Sequence, residues 1–184
     1  LEEELSRVIP AIEAMAPRLR VPISVDTYKS RVAADALVAG ASMINDVWGM
    51  SRAPDMSRVP AGADVPVVLV HNQIQTRYDD LLADIIAALR RMEDRAVRDG
   101  VAFENIILDP GIGFGKTVRH NLEVLRRLDE FQVLNRPLLV GTSRKFTIGS
   151  VLDLPVDDRV EGTAATVALS IANGADIVRV HDVR

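Results

Sequence analysis

Cysteine is absent from all 184 residues. That excludes disulfides, thiolate zinc sites and a cysteine nucleophile. No apolar run approaches the roughly 18 residues that a membrane span requires. A surplus of cations is also missing: 22 Lys and Arg stand against 26 Asp and Glu, for a net charge of −4. A nucleic-acid footprint would need a clustered basic face, so that class of partner is not expected. No signal-peptide pattern opens the chain, which favours the cytoplasm. There is no initiator methionine either. Leu1-Glu2-Glu3-Glu4-Leu5 reads as the inside of a helix, and both ends of the chain read as cut.

What is present is an ordinary globular balance, 48% apolar and 26% charged. A chain of this size buries about 70% of its unfolded surface, enough for one domain with a core. Six short runs rich in Val, Ile and Leu predict strands at 21–25, 42–47, 65–70, 105–108, 137–140 and 176–180. Several lack polar alternation, as parallel strands covered on both faces do. Helical spacing lies between them. Leu81, Leu82, Ile85, Ile86, Leu89 and Met92 fall on one face of a helix over 78–99 that Gly100 stops. Further helices are predicted over 30–39 with Ser30 as cap, over 121–130 and over 157–173, with a short one near 53–59. The opening helix carries Pro10, which removes a hydrogen bond and predicts a kink. Alternating strand and helix predicts a parallel α/β architecture.

Each predicted strand runs into polar residues. These are Asp26-Thr27, Asn45-Asp46, His71-Asn72, Asp109, Thr142-Ser143-Arg144-Lys145 and Arg179-Val180-His181-Asp182. Taken singly, any of them could be a helix cap. Six in succession point to a shared polar site at the C-terminal strand ends, where parallel α/β folds place ligands. The glycine-rich stretch Asp109-Pro110-Gly111-Ile112-Gly113-Phe114-Gly115-Lys116-Thr117 is not a phosphate loop, because Pro110 occupies the first glycine position. It is not a dinucleotide fingerprint, because Lys116 stands where the third glycine belongs. Asp26, Asn45 and Asp109 suit a ligand edge with several N–H donors; Lys145, Arg179 and His181 suit a phosphate or diphosphate. Acid–base work or metal binding by the carboxylates fits the residue types equally well.

Five blocks carry a resemblance. Ile23-Ser24-Val25-Asp26-Thr27-Tyr28-Lys29, Ile44-Asn45-Asp46, Asp109 to Lys116, Gly141-Thr142-Ser143-Arg144-Lys145 and Arg179-Val180-His181-Asp182-Val183 resemble the signature blocks of the dihydropteroate synthase family, in its order and spacing. The resemblance implies a (β/α)8 TIM barrel, with residues 1–184 as a single pterin-binding barrel domain. It implies a cytoplasmic transferase of folate biosynthesis, the target of sulfonamides, that acts as a homodimer with Mg2+. The implied reaction condenses 6-hydroxymethyl-7,8-dihydropterin pyrophosphate with p-aminobenzoate, giving 7,8-dihydropteroate and pyrophosphate. Asp26, Asn45 and Asp109 match the residues that hydrogen-bond the pterin, and Phe114 matches an aromatic that lines its slot. Lys145 matches the lysine reaching the pterin carbonyl and ring-nitrogen edge, and Ser143 a residue beside the aminobenzoate. Arg179 and His181 match the diphosphate-binding pair. The catalytic assignments are Asp26, Asp109, Lys145 and Arg179.

The chain departs from the family pattern. The first two strands and the last helix are missing, so about six βα units are expected, near three quarters of a typical barrel of about 250 residues. The family's metal-binding asparagine lies on a missing strand, so no metal ligand is assigned in this chain. Phe146-Thr147-Ile148-Gly149 replaces the more usual Ser-Phe-Ile-Gly beside the aminobenzoate pocket. Two other readings stay open: a methyltetrahydrofolate–corrinoid methyltransferase-like protein, against which the Thr-Ser-Arg-Lys and Arg-Val-His-Asp blocks speak, and a non-catalytic pterin-binding fragment. With two strand edges unpaired, the isolated chain is expected to be poorly soluble or inactive.

Overall fold

The computed structural model describes residues 1–183. They form two compact units. One comprises Leu1–Val70 with Arg91–Ile107; the other comprises His71–Arg90 with the chain from Leu108 onward. The fold is α/β: Ser24–Asp26, Met43–Asp46 and Val67–Val70 pair in parallel, as do Leu139–Val140 and Ile177–Val178, which the strand–helix alternation predicts.

In the first unit, α1 (Glu2–Met15) packs on α2 (Ser30–Ala39). Pro10 lies inside α1, yet the helix continues for five further residues to Met15. Strand β1 (Ser24–Asp26) pairs with β2 (Met43–Asp46), and β2 pairs with β3 (Val67–Val70). The start of β4 (Ile106–Asp109) follows β3 in the sheet order. Every residue of β3 and β4 is buried, which explains their unbroken apolar reading up to Asp109. Gly40 ends α2 at φ +115°, where a Cβ would press on the Ala16 Cβ at 2.5 Å, so glycine is needed both for the left-handed cap and for the approach of α1. The predicted short helix near 53–59 forms later, as α3 (Arg58–Ala63). Ser30 does not cap α2: Lys29 is the cap residue, and the Ser30 hydroxyl donates to Asp55 instead, at 2.8 Å.

Helix α4 (Leu81–Arg98) runs through both stretches assigned to the two units. In the second unit, Leu108 bridges in parallel to Leu138, and β5 (Leu139–Val140) pairs with β6 (Ile177–Val178). Helices α5 (Val118–Arg126), α6 (Phe146–Leu152) and α7 (Val160–Ala172) pack on one another. Helix α5 starts three residues before the apolar periodicity does. Thr117 caps it by accepting from His120 N at 3.2 Å, while the His120 ring accepts from Thr117 N. The predicted continuation to 130 is instead a 3-10 stretch, Leu128–Leu134. Helix α6 has no counterpart in the periodicity, because its seven residues are too few to show one. Among the described residues no helix is long and apolar enough to cross a membrane.

Ile44 on β2 is completely buried, while Val38 on α2 is 90% exposed. Ile44→Ala is expected to lower the unfolding free energy by about 2–5 kcal/mol. Val38→Ala should change it by less than about 0.5 kcal/mol. Chemical denaturation of the two variants checks this contrast.

Candidate active site

In the first unit the parallel register sets Asp26 opposite Asn45 at the C-terminal ends of β1 and β2. Asp26 is exposed; Asn45 is 3% exposed, and neither its Oδ1 nor its Nδ2 has a hydrogen-bond partner. A buried amide left without partners is costly, and such groups are few in a folded chain. The next residue, Asp46, projects to the opposite face of the strand and is fully engaged locally. Its carboxylate accepts from Trp48 N at 2.9 Å and from Met50 N at 2.8 Å. Burial pushes the Asp46 carboxyl up despite these bonds. Of the two polar residues that end β2, Asp46 therefore ties down its own loop, and Asn45 keeps a buried amide without hydrogen-bond partners.

In the second unit Asp109 ends β4 with 2% exposure. Its Oδ1 accepts from Gly111 N at 2.7 Å, and its main-chain oxygen accepts from His71 N at 2.9 Å. Burial pushes the Asp109 carboxyl up, while Lys145, Arg179 and Lys116 act against that shift. Gly111 adopts φ +73°, and a Cβ there would collide with the His71 carbonyl oxygen. The loop after Asp109 is thus backbone packed directly on backbone. Lys145 donates to the Ile112 carbonyl, and its Nζ lies 4.7 Å from the centroid of the Phe114 ring. Around Gly141, the Arg179 Nε and the Lys145 Nζ lie 3.6 Å and 3.9 Å from the point a Cβ would occupy, so two cations converge on one glycine. Ser143 is buried; its hydroxyl accepts from His181 N at 3.1 Å and meets His181 Nδ1 at 2.9 Å. Arg144, at φ +55°, grips Asp182 through two bonds of 3.0 Å and 2.5 Å, which latches the 142–145 turn to the 179–182 segment.

The second unit thus brings together Asp109, Phe114, Lys145 and Arg179, and beside them the Ser143–His181 pair. Asp26 and Asn45 form their own pair in the first unit. Two residues went unassigned from the sequence: Lys116 and His71. Lys116 is 4% exposed, and its Nζ lies 2.9 Å from His71 Nδ1 while donating to Gly111 O at 3.0 Å and Phe114 O at 3.1 Å. The signal was its place directly after Gly-Phe-Gly, where the dinucleotide pattern fails. Burial pushes the Lys116 ammonium down to about 7; Asp109 acts against this and Lys145 with it. Among the described residues no group of three or more His, Asp or Glu side chains could hold a metal ion.

Two outcomes follow. Asn45→Leu removes an unsatisfied buried amide, so the ligand-free variant should be at least as stable as the parent, by about 1–3 kcal/mol where the leucine packs well; thermal unfolding measures it. Lys116 releases its proton in the folded chain well below the ordinary lysine value, so above about pH 7 and up to about 10.4 the unfolded chain binds more protons. Unfolding free energy should rise with pH across that window by up to about 1.4 kcal/mol per unit relative to Lys116→Met. Urea titrations of both proteins from pH 7 to 10 check the slope.

A family described as pterin binding enzyme matches residues 1–181. The chain is 55% identical over 183 residues to a dihydropteroate synthase of Bacillus subtilis, covering 100% of this chain and 64% of that protein. A dihydropteroate synthase structure from Clostridium difficile, determined in the presence of pteroic acid, superposes with a TM-score of 0.97 at 49% identity, over 99% of this chain and 70% of that one. The Xanthomonas albilineans dihydropteroate synthase in complex with 7,8-dihydropteroate superposes at 0.95 with 40% identity, over 99% and 69% of the two chains. The chain therefore spans just under two thirds of the Bacillus subtilis relative. The strand-end carboxylates, the cations gathered at Gly141 and these likenesses agree, and the chain belongs to the pterin-binding enzyme family.

Proposed function

We propose that this chain serves dihydropteroate synthase chemistry: a dihydropterin carrying a methylene diphosphate is joined to p-aminobenzoate. The observation that carries the reading is the buried Asp109 carboxylate opposed by Lys145 and Arg179. A carboxylate that is buried yet flanked by cations suits a flat heterocycle with N–H donors at one end and an anionic group at the other. The relatives named above support the same substrate class, since one structure was determined with pteroic acid and another holds dihydropteroate.

In this reading Asp109 accepts from the pterin N–H edge, with Asp26 and Asn45 carried over as further pterin partners. Lys145, steadied by Ile112 O and the Phe114 ring, donates to the pterin carbonyl edge. Arg179 and His181 take the diphosphate, and Ser143 holds His181 in place for it. The carbon–oxygen bond to the diphosphate breaks with its electron pair leaving on oxygen. The arylamine lone pair forms the new carbon–nitrogen bond, and the amine releases one proton. Asp109 stabilises the positive charge that develops on the methylene carbon, a role the family resemblance also implies for Asp26, and the cations stabilise the departing anion. No protein nucleophile is needed. Mg2+ is proposed with the same reading, and when bound it would supply charge neutralisation to the departing anion. Homodimerisation belongs to the same reading; the exposed apolar side chains of Val151 and Leu152 on α6 and of Leu169 and Ile171 on α7 support it. Cytoplasmic residence and sulfonamide sensitivity are proposed with it.

Calorimetry of the full-length protein with the pterin diphosphate, followed by p-aminobenzoate turnover, tests the proposal. Asp109→Ala should weaken pterin binding by about 3 kcal/mol or more, the scale of one lost charge-assisted contact with an unpaired partner. Arg179→Ala should leave binding of a pterin lacking the diphosphate within about twofold while lowering kcat, because it acts on the leaving group. Unchanged pterin affinity in Asp109→Ala overturns the assignment.

A further inference from the structure

Lys116 is a buried cation to which the proposed reaction gives no task. Burying an ammonium is unfavourable unless it is fully bonded, and this one is. Its three partners are two main-chain oxygens of the loop after Asp109, Gly111 O and Phe114 O, and one ring nitrogen of the same unit, His71 Nδ1. The loop it grips holds Lys145 in two ways. Ile112 O accepts from Lys145 Nζ, and the Phe114 ring lies 4.7 Å beneath that Nζ. Both contacts come from residues inside the segment, 111–114, whose first and last carbonyls Lys116 binds.

We propose that Lys116 is a positioning residue, stapling the 111–114 loop to His71 so that Ile112 O and the Phe114 ring present Lys145 to the ligand. The inference rests on the pterin reading for the identity of that ligand, but the staple itself does not.

The staple keeps its bonds in either charge state. As an ammonium, Lys116 donates to both carbonyls and to an unprotonated Nδ1. As an amine, it donates to both carbonyls and accepts from a protonated Nδ1. Proton loss from Lys116 is therefore matched by a change of tautomer at His71, not by a broken contact. The other ionisable groups facing it are Asp109 and Lys145, which act on it electrostatically, and Tyr78, whose ring lies 6.0 Å from the Nζ. The Tyr78 hydroxyl is pushed up to about 12 by burial and stays protonated through this range, while donating to Gly115 O at 2.9 Å.

Two measurements on the full-length protein test this. The first is a double-mutant cycle with Lys116→Met and Lys145→Ala, read as pteroic acid affinity by calorimetry. Lys116→Met should weaken binding about tenfold or more, and the double variant should bind no more weakly than Lys145→Ala alone, the non-additivity of groups that act as a unit. Additive losses, or binding by Lys116→Met within about twofold of the parent, overturn the proposal. Failure of the parent itself to bind pteroic acid removes the pterin reading instead. The second measurement needs neither a variant nor a ligand: 15N spectroscopy of His71 across pH 6 to 9. Its Nδ1 should change from acceptor to N–H donor with the same midpoint as the Lys116 Nζ. A His71 ring that titrates independently of Lys116 overturns the staple even where Lys116→Met fails to fold.

Discussion

The burial of one carboxylate governs the second unit. Asp109 lies at 2% exposure at the end of a strand whose other residues are all apolar and buried. An ionised carboxylate in such a place is unfavourable unless donors and cations surround it. Its neighbours supply both. Gly111 N donates to it directly, and Lys145, Arg179 and Lys116 set their charges against the shift that burial imposes. Much of the irregular backbone nearby follows from meeting that demand. The positive φ of Gly111 brings its N–H round to the carboxylate, and the left-handed Arg144 closes the turn that carries Lys145.

The strands and the polar residues that end them were legible in the sequence, because a buried parallel strand is a run of β-branched residues and a side chain such as Asp109 or Asn45 interrupts it visibly. The family resemblance added the roles. What could not be read was how neighbouring polar residues divide the work. Asn45 and Asp46 look alike as a pair; only the bonds from Trp48 N and Met50 N distinguish the residue that closes a turn from the amide left unpaired. Lys116 was hidden for a similar reason. Its partners are main-chain oxygens and a ring nitrogen 45 positions away, and none of these leaves a pattern in spacing.

Helix ends show the same limit. Apolar periodicity marks the face of α5 but not its first turn, which Thr117 and His120 set through reciprocal hydrogen bonds. Ser30 is a good capping residue by type, yet Asp55, distant in sequence, takes its hydroxyl. Local preference was overridden wherever a side chain found a better partner elsewhere in its unit.

The contact between the glycine loop and residues 71–73 has a consequence for any molecule that binds beside it. Gly111 and Gly115 approach the carbonyls of His71 and Gln73 so closely that neither has room for a Cβ. At Gly111 the approach is main chain on main chain, while at Gly115 the Gln73 side chain lies as close as its carbonyl. A ligand set against the Gly111 face would arrest few side-chain rotamers, so it would forfeit little conformational entropy in the protein. The same face has little room to yield to a bulkier ligand, so an inhibitor grown toward it gains more by matching its contour than by pressing against it.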